Sequence, residues 1–430
     1  MLRIITQRSD AEAELKRISD RLHDDQAVHK EATVAEIVQN VKRKGNEALL
    51  EYTAEYDKVE LSAEELRVTG AELDTAYQQI NQDLLRAIET AYQRIYDFHK
   101  LRIPQSWVSF ADKEVVLGKR YTPVDRAGIY IPGGRAAYPS TVLMNAVPAK
   151  VAGVKRLVMV TPPRRDKSVD TAILVSAQVA GVEEIYRVGG AQAIAALAYG
   201  TETIPRVDVI TGPGNIYVTL AKKQVYGRVG IDSLAGPSEV LIIADASANP
   251  LFVAQDLLAQ AEHDPMAAAI LLTTDGELGK RVAELIPKIL LEHPRREFTE
   301  KAIANYGVAI VVSDLREACE LSNLFAPEHL ELEVADPWEL LAQIRHAGAI
   351  FLGHHTPEAV GDYLAGPNHT LPTCGAARFS SALSVETFLK SSSIVQYSKE
   401  ALKEVNPHIQ ALTQAEGLLS HGQSVQVRLD

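Results

Sequence analysis

The sequence VPAKVAGVKRLVMV at residues 147–160 returns, without a gap, as VSAQVAGVEEIYRV at residues 175–188. In each copy an apolar helical stretch ends at Ala-Gly, where glycine suits the left-handed position after a helix, and a short strand follows. Two successive helix-then-strand units predict neighbouring parallel strands, because a parallel connection needs a crossover helix. The repeat does not continue, which excludes a solenoid.

Short apolar runs separated by helical stretches extend this pattern from about residue 127 onward. The runs are 129–131, 157–160, 207–210, 240–243, 270–272, 308–312 and 349–352. Strands that alternate with helices predict an α/β fold with parallel sheets. The 430 residues exceed the roughly 250 to 300 at which single cores stop growing, so we expect at least two lobes.

Both ends of the chain are predicted to be helical. Ser9 and Thr33 each precede a Glu by three residues, which is the pattern of a capping box at a helix start. Asn406-Pro407 predicts the start of a last helix, which would form a tail packed on a neighbouring lobe or a second subunit. The apolar stripes that need cover are Val34, Ile37, Val38 and Val41, and Leu85, Ile88, Tyr92 and Ile95.

The composition is that of an ordinary globular protein and excludes several classes of partner. A formal net charge of -12, with both signs mixed along the chain, disfavours nucleic acid and anionic membrane as partners. The first residues lack the layout of a signal peptide, and no apolar run approaches the ~20 residues of a membrane span, so we expect a cytoplasmic protein. The two cysteines, Cys319 and Cys374, are far apart, so any metal must use N and O ligands.

Four glycine-rich segments adjoin predicted strands, where ligands of α/β sheets collect. They are AGIYIPGGRAAYPST at 127–141, VGGAQAIAALAYG at 188–200, TGPGN at 211–215 and LAGPSE at 234–239. None fits the dinucleotide pattern G-x-G-x-x-G, and each alone is more simply a tight turn. Together they favour a nucleotide or another anionic ligand, which the pattern does not identify.

Two segments carry candidate metal-binding and acid-base residues. In FVAQDLLAQAEHDP at 252–265, Gln260 and His263 lie three positions apart on one face of a predicted helix, so they can share a metal. The residues alone favour the alternative, in which His263 is a structural histidine. In NLFAPEHLEL at 323–332, Glu328 and His329 follow a proline and are expected to project from a loop. This pair is either an acid-base pair or a solvated loop pair.

Two further clusters lie closer to the C-terminus. HHTPEAVGDYLAGPNHTLPTCG at 354–375 holds three histidines and Asp362 among glycines and prolines, which favours a site over core packing. On the predicted last helix, Glu416 and His421 are about 140° apart around the helix axis. They can serve one site only if His421 lies at the frayed helix end.

The segments IDSLAGPSEVLIIAD, DLLAQAEHDP, FAPEHLEL and AGPNHTLPT, in this order, resemble the histidinol dehydrogenase family, and the resemblance spans nearly the whole chain. It implies an obligate homodimer with two incomplete Rossmann-like lobes, a helical N-terminal region and a helical C-terminal arm. We therefore expect an N-terminal helical arm at 1–25, a first lobe carrying metal and catalytic residues at 26–127 and 236–380, and an NAD-binding lobe at 128–235. Residues 381–430 would form the arm exchanged with the partner subunit.

The resemblance also implies a reaction and its residues. The family oxidises L-histidinol through bound L-histidinal to L-histidine, the last two steps of histidine biosynthesis, with NAD as co-substrate and Glu328 and His329 as the acid-base pair. One zinc per subunit would be held by Gln260, His263 and Asp362 of one chain and by His421 of the partner subunit. NAD would contact Tyr130, Gln192 and Asn215. The implied substrate contacts are Ser238, Gln260, His263, His329, Asp362, His369, Glu416 and His421.

Two other functions remain as alternatives. A zinc-dependent hydrolase would keep the metal and use Glu328 as a base toward metal-bound water, but the glycine-rich strand ends argue against it. A non-catalytic small-molecule binding protein would leave the charged cluster between 354 and 369 without a purpose. N and O ligands would also accept manganese or cobalt in place of zinc.

Overall fold

A computed structural model describes residues 2–21, 26–133 and 137–430. Its strands are β1 (Arg3–Ile5), β2 (Trp107–Ala111), β3 (Val115–Pro123), β4 (Arg126–Tyr130), β5 (Arg156–Thr161), β6 (Glu184–Arg187), β7 (Val209–Thr211), β8 (Gly230–Ile231), β9 (Glu239–Ala244), β10 (Ala268–Thr273), β11 (Gly307–Val311), β12 (His329–Glu333), β13 (Ala349–Leu352) and β14 (Leu389–Gln396).

The α-helices of the same ranges are α1 (Arg8–Ser19), α2 (Gln26–Lys44), α3 (Asn46–Tyr52), α4 (Gly70–Gln79), α5 (Gln82–Lys100), α6 (Pro139–Ala152), α7 (Thr171–Val179), α8 (Gly190–Tyr199), α9 (Ile216–Val225), α10 (Pro250–Ala261), α11 (Gly276–Leu290), α12 (Arg296–Tyr306), α13 (Leu315–Phe325), α14 (Pro337–Leu341), α15 (Glu358–Tyr363), α16 (Lys399–Ala415) and α17 (Leu419–Gln426). None of these described helices combines the length and apolar character that crossing a membrane requires.

Strands β4 to β8 form a parallel sheet in the order β6-β5-β4-β7-β8. The residues of β6 and β7 are all buried, so both faces of the sheet need cover. Helices α6 and α7 cover one face, and α8 and α9 cover the other. Because β4 pairs with both β5 and β7, the strand order reverses there, as at the ligand-binding crevice of a Rossmann-like sheet.

The second parallel sheet has the order β1-β11-β10-β9-β12-β13. Helices α10, α11 and α12 pack on one face, while α1 and α13 pack on the other. Strand β9 pairs with β10 and β12, which gives this sheet its own point of reversal. The predicted α/β fold with two Rossmann-like parallel sheets is confirmed.

Helices α2 and α5 pack with the helices of the five-stranded sheet. The predicted stripe on α2, from Val34 to Val41, is buried with α8 and α9, and Leu85, Ile88 and Ile95 of α5 are buried with α6 and α7. The assignment of residues 26–127 and 236–380 to one lobe stays a prediction. The periodicity identifies which face of a helix is buried, but it does not identify the sheet that the face meets.

A third, antiparallel sheet has the order β14-β3-β2. The C-terminal arm is helical over α16 and α17, as expected, but it also contributes β14 to this sheet. The sequence of β14, LKSSSIVQ, lacks apolar alternation, so the strand is recognisable only from its pairing with β3. Helix α16 continues through Asn406 and Pro407, which therefore do not start a helix.

The two capping-box patterns near the N-terminus do not start helices either. Helix α1 begins at Arg8 and has no side-chain cap, and Thr33 lies inside α2. The Thr33 hydroxyl donates to the His29 carbonyl at 3.1 Å. Such a bond to the preceding turn lets Thr sit within a helix, so the spacing of Thr and Glu alone was misleading.

Candidate active site

The candidate acid-base pair lies at the amino end of β12 in the six-stranded sheet, next to the amino end of the neighbouring strand β9. His329 is the first residue of β12, Glu328 precedes it, and both are buried. We expected a loop here. The sequence HLELE instead alternates along a strand, which puts His329, Glu331 and Glu333 on one face and the two leucines on the other.

The backbone of Glu239, the first residue of β9, contacts both members of the pair. Its N–H donates to Glu328 Oε2 at 2.9 Å, and its carbonyl lies 3.0 Å from His329 Nδ1. A carbonyl accepts only, so His329 Nδ1 carries the hydrogen of this bond. In neutral His329 the other ring nitrogen, Nε2, is then free to accept a proton; it lies 3.7 Å from Asp362 Oδ1.

Burial and neighbouring charges shift the pKa values of both members of the pair. Burial raises the pKa of the Glu328 carboxyl to about 7, although the neighbouring His329 opposes the shift. Burial also disfavours the charged imidazolium, but the carboxylates of Glu328 and Glu358 outweigh it and raise the pKa of His329 well above its usual value. Glu328 can therefore exchange a proton near neutral pH, whereas the neighbouring carboxylates favour the protonated form of His329.

A group of possible metal ligands lies beside His329. Ligand atoms of His263, Glu358 and Asp362 all lie within 4.8 Å of one another. His263 follows the end of α10, and the two carboxylates are four residues apart on one face of α15. Glu358 was not predicted, although its spacing from Asp362 was a usable signal. Although burial disfavours its charge, the neighbouring His329 holds the pKa of Asp362 below its usual value.

Gln260 lies in the last turn of α10, and His263 donates its backbone N–H to the Gln260 carbonyl at 3.2 Å. The Gln260 carboxamide is buried, and its nitrogen has no hydrogen-bond partner among the described residues. No Lys or Arg of the described chain forms an ion pair with Glu358 or Asp362. Neutral N and O donors beside carboxylates that no described Lys or Arg neutralises fit a divalent cation.

The expected substrate-binding residues divide into two sets. Ser238 immediately precedes β9, and His369 Nδ1 lies 3.0 Å from the Asp362 carbonyl. His369 Nε2 also lies 3.4 Å from the Thr141 hydroxyl on α6, which links this site to the other sheet. By contrast, Glu416 and His421 are exposed, and no hydrogen bond or ion pair joins them to these residues within the described part of one chain.

The expected dinucleotide contacts lie at carboxyl ends of the five-stranded sheet. Tyr130 ends β4, and its hydroxyl accepts from the Gly190 N–H at 3.2 Å. Gln192 is buried in the first turn of α8, and neither polar atom of its carboxamide has a partner among the described residues. Asn215 caps α9 through its side-chain oxygen. Residues 134–136 of the first glycine segment lie outside the described ranges.

A glycine is required where the TGPGN segment passes β4. Gly212 has a φ of 112°, and a Cβ at this position would lie 2.1 Å from the Tyr130 carbonyl oxygen. The buried Lys222 ammonium donates to the Gly212 carbonyl at 2.8 Å. The loop is therefore held close to the end of β4, as the sequence pattern of a tight turn predicted.

Three further carboxyls form a second buried group next to the site. Oxygens of Asp256, Glu331 and Glu333 lie within 4.8 Å of one another, and His354 Nδ1 is 3.7 Å from Glu333 Oε2. Burial raises the pKa of Asp256 to about 6 and that of Glu333 to about 8. At neutral pH the fold therefore holds protons here that the unfolded chain would release.

We expect Glu333→Gln to stabilise the protein at pH 8 and to have little effect at pH 5. Because the folded-state pKa of about 8 lies above the usual value of 4.5, Glu333 favours folding below pH 4.5 and loses that contribution as the pH rises toward 8. A neutral amide removes this loss, so the Tm at pH 8 should rise by about 2 °C. Thermal unfolding at both pH values measures the effect, with exposed Glu284→Gln as the control. A lower Tm at pH 8 would contradict the assignment.

Two Rossmann-like sheets, with buried Glu328 and His329 beside N and O donors on one and glycine-rich turns on the other, are typical of an α/β enzyme. The family model described as histidinol dehydrogenase matches residues 20–429. The chain belongs to the histidinol dehydrogenase family, so it is an oxidoreductase of histidine biosynthesis, and the resemblance seen in the sequence is confirmed.

Relatives support this assignment over the whole chain. Histidinol dehydrogenase 2 of Trichormus variabilis is 70% identical over 429 residues, which cover 100% of this chain and 99% of the relative. The histidinol dehydrogenase of a Synechococcus species is 68% identical over 428 residues and covers 100% and 99% of the two chains. The crystal structure of histidinol dehydrogenase from Elizabethkingia anophelis gives a TM-score of 0.89 at 38% identity, covering 93% of this chain and 92% of that one.

Proposed function

We propose that the protein oxidises L-histidinol through bound L-histidinal to L-histidine and passes two hydrides to two molecules of NAD. The observation that carries this proposal is the orientation of Glu328 and His329 by one backbone unit, beside the donors His263 and Asp362. Family membership supplies the substrate class. Residues 236–380 would carry the chemistry, and residues 128–235 would bind NAD.

In the first half-reaction His329 acts as the base. Its Nδ1 is held by the Glu239 carbonyl, so Nε2 accepts the hydroxyl proton of the alcohol as hydride leaves the same carbon for the nicotinamide. The carbon-bound hydrogen and its electron pair reduce NAD, and the alcohol becomes the aldehyde. Because the imidazolium that forms lies next to Asp362 and Glu358, its charge is stabilised.

In the second half-reaction Glu328 acts first. Its carboxylate removes a proton from water as the water oxygen adds to the aldehyde carbon. The His329 imidazolium formed in the first half-reaction returns its proton to the former carbonyl oxygen, which gives the hydrate and neutral His329. His329 then removes a hydroxyl proton from the hydrate as the second hydride leaves, and the product is the carboxylate. The two side chains are adjacent in sequence, so they can reach the same carbon from one strand end.

One zinc per subunit would be held by Gln260, His263 and Asp362 of one chain and by His421 of the partner subunit. The buried Gln260 carboxamide beside His263 and Asp362, and carboxylates that no Lys or Arg of the described chain pairs with, support this choice. When bound, zinc supplies a positive charge that fixes the nitrogens of the amino alcohol and so orients its reacting carbon. Ser238, His369 and Glu416 would complete the substrate contacts.

Tyr130, Gln192 and Asn215 would contact NAD. The buried, unpartnered Gln192 carboxamide supports a polar ligand at the end of β6. The amino ends of α8 and α9 also lie at the carboxyl edge of this sheet, where backbone N–H groups favour phosphate. A Thr141 hydroxyl within 3.4 Å of His369 links the NAD-binding lobe to the substrate site.

We also propose a homodimer in which the C-terminal arm reaches the partner's site. On β2, Trp107 is 53% exposed and Phe110 is 77% exposed, and α17 leaves Leu419 68% exposed. Such apolar surface favours a protein interface. Exchange of the arm would also explain why Glu416 and His421 are remote from the other site residues of their own chain.

Mixing two inactive variants is expected to restore activity. A heterodimer of His263→Ala and His421→Ala chains has one site with all four zinc ligands, because each site takes three ligands from one chain and His421 from the other. Dissociating and reassociating the mixture, followed by NADH assay, measures this. The matched control is His263→Ala with Asp362→Ala, for which no arrangement yields an intact site. Heterodimers without activity in the first mixture would place His421 in its own subunit's site.

The proposed reaction is tested by incubating purified, zinc-loaded protein with L-histidinol and NAD. We expect NADH absorbance that depends on both compounds. A zinc-dependent hydrolase, the alternative that the sequence left open and that family membership does not favour, would give no NADH. Absence of NADH formation would therefore overturn the proposal.

A further inference from the structure

Arg21, two residues beyond the end of α1, forms an ion pair inside the protein. Its guanidinium Nη1 lies 2.9 Å from Glu239 Oε1, and the side chains are 1% and 0% exposed. A charge pair so removed from water persists only when the remaining donors are also satisfied. The other contacts of Arg21 meet that condition.

The Arg21 guanidinium donates to carbonyls of three separate segments. Nη2 donates to Pro237 at 2.9 Å, Nε donates to Met266 at 3.0 Å, and Nη1 donates to Ile18 at 2.7 Å. One rigid, planar group therefore joins the end of α1, the segment before β9 and the loop after α10.

Two of these segments lead directly to the proposed site. Pro237 and Glu239 flank Ser238, and the Glu239 backbone holds Glu328 and His329. Met266 follows His263 by three residues in the loop that leaves α10. A displacement of the guanidinium would therefore shift the acid-base pair relative to the donors on α10.

We propose that Arg21 is a positioning residue that sets the spacing between the acid-base pair Glu328 and His329 and the cation-binding end of α10. This inference rests on the roles proposed above for those residues. Arg21 acts through the Pro237 carbonyl, the Glu239 carboxylate and the Met266 carbonyl. Lysine retains the positive charge but offers a single nitrogen, so it cannot hold three segments at fixed directions.

Arg17 provides a matched comparison on the same helix. The two guanidinium carbons lie 5.6 Å (Arg17) and 5.8 Å (Arg21) from the centre of the same Tyr306 ring. Arg17 pairs with Glu14 and donates to the Asn305 carbonyl, and it has no contact with residues 237–239. Loss of Arg17 therefore removes a similar packing interaction without affecting the segments that carry the site.

The test compares zinc-loaded wild type with Arg21→Lys, Arg21→Met and Arg17→Met. The measurements are kcat and KM for L-histidinol, zinc content and Tm. We expect kcat of Arg21→Lys to fall about 100-fold, as for a misplacement of about 1 Å at reacting groups, while KM changes less than about threefold. Arg21→Met should lose at least as much, and Arg17→Met should keep its kcat within about twofold.

A loss of kcat without a matching change in KM or Tm would indicate that Arg21 positions the site residues and does not only stabilise the fold. The proposal is overturned if Arg21→Lys keeps its kcat. It is also overturned if kcat falls only in proportion to a fall in Tm. An Arg21→Lys chain that does not fold would make Arg21 a structural residue and would overturn it as well. Failure of the wild type to form NADH would instead count against the proposed function.

Discussion

Asp362→Ala is expected to lose bound zinc and turnover together. Asp362 would be the anionic member of the proposed zinc-binding set, and its Oδ1 lies 3.7 Å from His329 Nε2. Removal of this carboxylate takes away both a ligand and the charge that stabilises the His329 imidazolium. Since metal stabilisation of a reaction amounts to several kcal/mol, activity should fall about 1000-fold or more. Metal analysis of the purified variant and its NADH-forming rate measure the two losses.

His263→Ala should lose metal and activity in the same way, because its imidazole belongs to the same group of ligand atoms. Exposed Asp97→Ala is the matched control, since it removes an aspartate on α5 without a contact to the site. It should retain zinc and full activity. Full zinc occupancy in Asp362→Ala would contradict the ligand assignment, even if turnover were lost.

Glu328→Gln is expected to separate the two half-reactions. The amide oxygen can still accept the Glu239 N–H, so the orientation seen at 2.9 Å is preserved, but the amide cannot take a proton from water. Oxidation of L-histidinal should therefore fall by about 100- to 10,000-fold, whereas the first oxidation of L-histidinol should decline far less. Single-turnover NADH formation from each substrate measures the two steps.

Glu331→Gln provides the matched control for this variant. Glu331 is a buried carboxyl on β12, two residues beyond His329 and on the same strand face as His329. It belongs to the second carboxyl group and does not lie beside Glu239. Its replacement should leave the ratio of the two half-reactions unchanged. If Glu328→Gln slowed both steps equally, Glu328 would not be the residue that activates water.

Much of the scaffold was predictable because its strands are buried on both faces. Runs such as 157–160 and 240–243 are continuously apolar, and the glycines after α6 and α7 mark the strands that follow. Strand β12 was missed because His329, Glu331 and Glu333 make it look like a polar loop. Buried carboxyls on a central strand are rare in structural cores, so this departure from the strand pattern marks the candidate site.

The long-range parts of the site were not predictable from spacing. Arg21 and Glu239 are joined across the fold by an ion pair that no local pattern reveals. Glu358 could have been found from its four-residue spacing to Asp362, whereas the link between His369 and Thr141 depends on how the two sheets meet. Sequence spacing reports local geometry, and these contacts arise from tertiary packing.

The acidic group of Asp256, Glu331 and Glu333 has a consequence for stability that composition does not reveal. A net charge of -12 gives no indication that three carboxyls share one buried location. Their raised pKa values link folding to pH, whereas exposed carboxyls would have no such effect. This cluster should therefore contribute to the pH dependence of Tm, together with Glu328.

The most direct test of the central claim is the ratio of NADH formed to L-histidinol consumed by the zinc-loaded protein. With limiting L-histidinol, excess NAD and an aldehyde-trapping reagent, we expect two NADH and one L-histidine for each alcohol, with no trapped aldehyde. One NADH per alcohol, with the aldehyde recovered in the trap, would contradict the proposed two-step oxidation at a single site.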